Sequence, residues 1–140
     1  MQWVFTYLAA LVTFGALDAA WIALVVRKLY ELELGEIMRE HPRIVAGILF
    51  YLVYAAGVTA FAVLPLTLHF DGVHASTTVY SDVAIWGAAL GFFAYATYTL
   101  TNRAIIREWK LKLVMTDVAW GSLLTALASI AAFGVFRALA

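Results

Sequence analysis

Cysteine is absent from the 140 residues, and with it go disulfides, thiolate nucleophiles, iron–sulfur ligation and Cys-type zinc sites. Charge is scarce too: 13% of the residues are Asp, Glu, Lys or Arg, 65% are hydrophobic, and the mean hydropathy is +0.92. Soluble domains run at roughly 45 to 50% apolar, so the composition argues against one. Nine acids face nine Lys and Arg, which leaves no net field for nucleic acid. No Walker, Rossmann or HExxH pattern occurs, nor any low-complexity segment or long linker. The start, Met1-Gln2-Trp3, lacks a basic n-region, and its apolar run continues to Val26. A signal-peptide h-region is only roughly 7 to 15 residues long, so this run is expected to be a retained helix.

Four apolar stretches remain, over 3–26, 44–66, 83–101 and 113–136. Each approaches or exceeds the roughly 20 residues that cross a bilayer's hydrocarbon. Backbone amides in lipid must find partners within their own segment, so each is expected to be a helix. The reading is an all-α bundle of four transmembrane helices, a single integral membrane domain over residues 1–140. The two prolines agree with these limits: Pro42 precedes the second helix and Pro65 falls at its far end. His69-Phe70-Asp71-Gly72 has turn chemistry.

Basic residues set the orientation. Arg27, Lys28, Arg39 and Arg43 fall in the first connection, and Arg103, Arg107, Lys110 and Lys112 in the third. The second, from Pro65 to Asp82, has none. Positive-inside bias then puts the first and third connections in the cytoplasm and both termini on the non-cytoplasmic side. Arg137 alone dissents, from a place where it can snorkel to a headgroup. In the first connection Tyr30, Leu34 and Ile37 share one helical face, expected to lie along the inner interface of a solvated connecting helix.

Two acids lie inside predicted spans, Asp18 and Asp117, each followed by Trp at i+3, Trp21 and Trp120. Carboxylates at membrane depth are costly and usually face the bundle interior or a wet cavity. Counting inward, Asp18 is roughly 13 Å and Asp117 roughly 7 Å from the inner end of its helix. Tyr51 and Tyr54 on the second helix, and Tyr95, Tyr98 and Asn102 on the third, fall at compatible depths. These nine residues are expected to surround a polar pocket near the cytoplasm, with the two acids holding one proton between them.

Three readings of that pocket stay open. It binds or transports a small solute, ion or proton; it is the site of a membrane-embedded enzyme acting on a lipid or quinone-like substrate; or its polar groups simply fasten helices together in a subunit or scaffold. No catalytic residue and no cofactor is indicated. His69, Asp71 and His74 offer a metal at most three ligands without a fourth, so no metal site is expected. Gly87-x-x-x-Gly91, and Gly15, Ala19 and Ala23 at four-residue spacing, permit close helix approach. That serves packing inside the bundle or a homo-oligomer formed through Gly87 and Gly91; the other expected contact is the lipid bilayer.

Tyr95-Ala96-Thr97-Tyr98-Thr99-Leu100-Thr101-Asn102, Trp109 and Asp117-Val118-Ala119-Trp120-Gly121 together resemble the DUF2177 family of bacterial membrane proteins. Leu17-Asp18-Ala19-Ala20-Trp21, Pro42-Arg43 and Phe50-Tyr51-Leu52-Val53-Tyr54 resemble its earlier half. The resemblance implies a four-helix protein of the bacterial inner membrane, with the Asp and Tyr positions as family features, and adds no reaction. The family often carries Tyr-Asp-Leu-Thr-Asn where this chain has Tyr98-Thr99-Leu100-Thr101-Asn102. Thr99 can hydrogen-bond there but cannot hold charge.

Overall fold

The computed structural model describes residues 1–39, 41–68 and 77–140, and these are helical apart from short connections. Among the described residues, four helices are long and apolar enough to cross a membrane: α1 Gln2–Leu34, α2 Ile44–Leu68, α3 Thr77–Ile105 and α4 Leu111–Ala138. No strand occurs among the described residues. Their outward faces carry Val12, Leu24, Val45, Phe61, Ile85 and Phe93, all exposed. Apolar side chains turned outward along every helix are what hydrocarbon in place of water requires.

α4 is the axis of the bundle. It packs along α3 and α1 and meets the middle of α2, and one side of it is buried from Leu113 to Phe133. On α1 the buried row is Thr6, Ala10, Phe14 and Asp18, a four-residue spacing that keeps one stripe facing inward. Gly15, Ala19 and Ala23, expected as a close-approach row, lie beside that stripe. Ala19 and Ala23 are exposed, and a Cβ added at Gly15 would meet nothing within 4 Å.

Gly87 and Gly91 behave differently. A Cβ at Gly87 would sit 2.5 Å from Ser129 Oγ, and one at Gly91 would overlap the Gly121 carbonyl. Their face is therefore taken up by α4 within the chain's own bundle. Ser129 and Thr125 help by turning their hydroxyls back onto their own helix, to the carbonyls of Thr125 and Gly121 at 2.7 and 2.6 Å. The interhelical surface is left smooth enough for α3 to approach.

α1 does not stop near Val26. It continues through a π-helical stretch, Ile22–Val26, into a further helical segment, Arg27–Leu34. At 33 residues it extends roughly 50 Å against a hydrocarbon core of about 30 Å, so its charged last turns lie beyond the core. The π stretch resets the helical phase. In an unbroken α-helix, Tyr30 would point about 120° away from Asp18; one extra residue in the turn reduces that to about 20°. Tyr30 and Leu34 consequently face α4 instead of lying along the interface as expected, while Ile37 is exposed.

Leu34 forms a second core with Trp109, Leu113 and Val114. Trp109 belongs to the tight connection between α3 and α4, where its carbonyl accepts from Arg103 Nη1 at 3.1 Å and its ring is buried. Lys110 caps this end with an ion pair to Glu33, Nζ to Oε2 2.5 Å. At the opposite end, Gln2 Nε2 donates to the Phe136 carbonyl at 2.8 Å, Trp3 lies against Phe136, and Arg137 sits 5.7 Å over the Tyr80 ring.

Candidate functional site

Asp18 and Asp117 are both buried, at 7% and 6% exposure. Each has its own set of donors. Asp18 accepts from Tyr51 Oη on α2 at 2.8 Å and from Trp120 Nε1 on α4 at 3.1 Å. Asp117 accepts from Tyr30 Oη at 3.0 and 2.8 Å, one contact to each carboxylate oxygen, and more weakly from Thr99 Oγ1 at 3.4 Å. All of these donors are neutral. Among the described residues no hydrogen bond joins the two carboxylates, so each acid is a station with its own donors.

The stations are cross-connected. α4 sends the Trp120 indole to the acid on α1, and the extension of α1 sends the Tyr30 phenol to the acid on α4. The two Trp residues that follow the acids at i+3 stack on each other, with ring centroids 4.3 Å apart and planes within 9°. Trp120 thus uses its face for Trp21 and its N–H for Asp18. A buried indole usually finds a partner for that N–H.

Between the stations lies a cavity of about 530 Å³ bordered by both aspartates. Trp21, Trp120, Tyr54, Tyr95 and Tyr98 form much of its wall, all anticipated from the sequence. Tyr95 is held flat against α4 at Gly121, where a Cβ would overlap its ring. Tyr54 meets Tyr95 edge-on at 6.0 Å and shares a 2.9 Å hydrogen bond with Thr125. Tyr51 reaches Asp18 from behind the wall, and Asn102 stands beside the Tyr98 hydroxyl without bordering the cavity.

Tyr30, Phe50, Ile22 and Val26 also line the cavity and were not anticipated. For Tyr30 the obstacle was the π turn, which breaks the 3.6-residue count that assigns faces. Phe50 adjoins Tyr51 and lies in a uniformly apolar helix, where periodicity carries little information. Thr99, where the family resemblance suggests an acid, is fully buried and accepts the Trp109 indole N–H at 2.8 Å. It links Trp109 to Asp117, so the side chain at this position belongs to the Asp117 station.

His69, Asp71 and His74 lie outside the described residues. Among the described residues, no group of three or more His, Asp or Glu is placed to hold a metal ion.

A family model described as a predicted membrane protein, DUF2177, matches residues 3–134. No curated protein and no solved structure matches the chain. With a match over nearly its whole length and four helices fit to cross a bilayer, this multi-pass membrane protein belongs to the DUF2177 family.

Proposed function

We propose that the chain is a bacterial inner-membrane protein that binds or moves a small solute, ion or proton through a site in the cytoplasmic half of its bundle. One observation carries this reading: the cavity of about 530 Å³ has both intramembrane acids on its wall. Pure helix fastening needs the acids and their donors but no space between them. The volume lies in the range of small-molecule pockets, roughly 300 to 1,000 Å³. The basic residues of the first and third connections support an orientation with both termini outside, which opens the Asp117 end toward the cytoplasm.

Reconstitution into liposomes containing a pH-sensitive dye tests the transport form of this reading. Proton movement in the parent that is lost in Asp18→Asn and in Asp117→Asn, with both variants folded, is the expected result. Equal movement in parent and variants overturns it.

A specific contact favours a second reading, a membrane-embedded enzyme acting on a lipid or quinone-like substrate. Tyr30 and Asp117 form a phenol–carboxylate pair at the cavity wall, the kind of pair that general acid–base chemistry uses. An altered lipid or quinone profile in a strain lacking the protein, restored by the parent and not by Asp117→Asn, favours this reading over transport.

A further inference from the structure

The cavity wall has a one-sided charge inventory. It includes two carboxylates, and among the described residues that line it there is no Lys, Arg or His. The ion pairs found among the described residues, Arg27 with Glu31 and Lys110 with Glu33, involve neither acid. Among the described residues, every donor that reaches Asp18 or Asp117 is a neutral O–H or N–H. Such bonds orient a carboxylate but supply no opposite charge, and acids at membrane depth normally pair with one.

Most of the remaining wall is aromatic, with Ile22, Val26 and Ala94 completing it. Besides the stacked Trp21 and Trp120, it has the rings of Tyr30, Phe50, Tyr54, Tyr95 and Tyr98. Aromatic faces attract cations, the more strongly where water is excluded. They also suit hydrocarbon, which a bare ion does not provide. A hard divalent ion wants about six to eight oxygen ligands at short range, whereas most of this wall is carbon. A space of about 530 Å³ is likewise far larger than one dehydrated ion fills.

We propose that this cavity takes an amphiphilic organic cation, with its ammonium or equivalent positive group at Asp18 or Asp117 and its apolar body against the aromatic rings. This rests on reading the cavity as a solute site and names the solute's chemistry. The cationic group comes either from a free solute or from the ammonium headgroup of a lipid, since both offer the same charge beside hydrocarbon. Two acids with separate donors also give one cation two alternative stations within a single space.

The test is equilibrium binding to the purified full chain in a neutral maltoside detergent. The probe is radiolabelled benzyltrimethylammonium, and the competitor is neopentylbenzene, the same shape with carbon in place of charged nitrogen. Saturable binding of the cation is expected, with the neutral isostere competing at least about tenfold more weakly, a difference of about 1.4 kcal/mol. Asp18→Asn or Asp117→Asn should weaken the cation by about tenfold or more while leaving the isostere unchanged. Trp21→Leu, which keeps both acids, guards against misfolding of the charge variants and should also weaken the cation.

Equal competition by the isostere, or full cation affinity in both Asn variants, overturns the cation proposal and leaves an apolar solute site standing. Failure of both molecules to bind the folded parent overturns the proposal together with the solute-site reading. Displacement of the bound probe by added phosphatidylcholine assigns the cation to a lipid headgroup. Its persistence assigns it to a free solute, and both of those outcomes support the ammonium.

Discussion

Tyr30 donates its phenol across the bundle to Asp117, 3.0 and 2.8 Å from the two carboxylate oxygens, although the two residues are 87 positions apart in the chain. The contact locks the extension of α1 onto α4 and defines one end of the cavity. It exists because the π turn at Ile22–Val26 rotates everything after it. The extension is therefore part of the site and not merely a connection.

Removing that phenol tests the arrangement. In Tyr30→Phe, Asp117 keeps, among the described residues, only the long Thr99 contact, and thermal unfolding in detergent should show a loss of about 1 to 2 kcal/mol, at the upper end of interhelical hydrogen bonds in membranes. Tyr51→Phe removes the corresponding donor from Asp18 and should cost about the same. A double variant whose loss equals the sum of the singles indicates independent stations. A strongly non-additive loss would mean that the acids act as one unit.

Thr99 bridges two groups: it accepts from the Trp109 indole and donates to Asp117. Thr99→Val keeps the shape and strands a buried N–H, which costs about 1 to 3 kcal/mol. Thr99→Ser keeps the hydroxyl and should recover most of that loss. The fluorescence of Trp109 would report the difference directly, in a background where the other four tryptophans are replaced. An unchanged melting temperature in Thr99→Val would show that the bridge contributes nothing.

The four spans were legible from apolar run length, because lipid imposes the same rule on every helix. The inward turn of Asp18 and Asp117 was legible for a related reason: a carboxylate at that depth has few tolerable directions. Tyr95 and Tyr98 followed by depth alone. Other features obey no periodic rule. The π turn leaves no clear mark in Ile22-Ala23-Leu24-Val25-Val26, so the phase of Tyr30 and Leu34 was misjudged. The partner of each acid could not be read either, since the cross-connection by Trp120 and Tyr30 depends on how α1 and α4 are rotated against each other.

The glycines separate by what they touch. Gly121→Ala would drive a methyl into the Tyr95 ring, and Gly91→Ala would drive one into the α4 backbone at Gly121. Both should lower stability by about 1 to 3 kcal/mol or more, the usual cost of overpacking. Gly121→Ala should also alter the cavity, because Tyr95 must tilt into it. Gly15→Ala has open space and should be neutral or slightly stabilising, as Ala favours helix over Gly by about 1 kcal/mol. Melting curves of the three variants in one detergent check the order, and equal effects at Gly15 and Gly91 would contradict the packing of α3 on α4.

The absence of native cysteine makes the orientation directly measurable, since any thiol introduced is the sole target. Single cysteines at Arg39 and Arg107, in the connections expected to face the cytoplasm, should resist a membrane-impermeant maleimide in intact cells and react once the host membrane is permeabilised. Cysteines at Gln2 and Leu139 should react while that membrane is still intact. Lys and Arg near short connections set orientation far more strongly than acids do, so the balancing glutamates around Arg27 and Arg39 should not reverse it. Replacing Arg103, Arg107, Lys110 and Lys112 together by Gln should produce mixed labelling, because only the bases of the first connection would then hold the third inside. Labelling of Arg107→Cys in cells whose membrane is intact would place the Asp117 end of the cavity on the opposite side, and any solute would then enter from outside the cell.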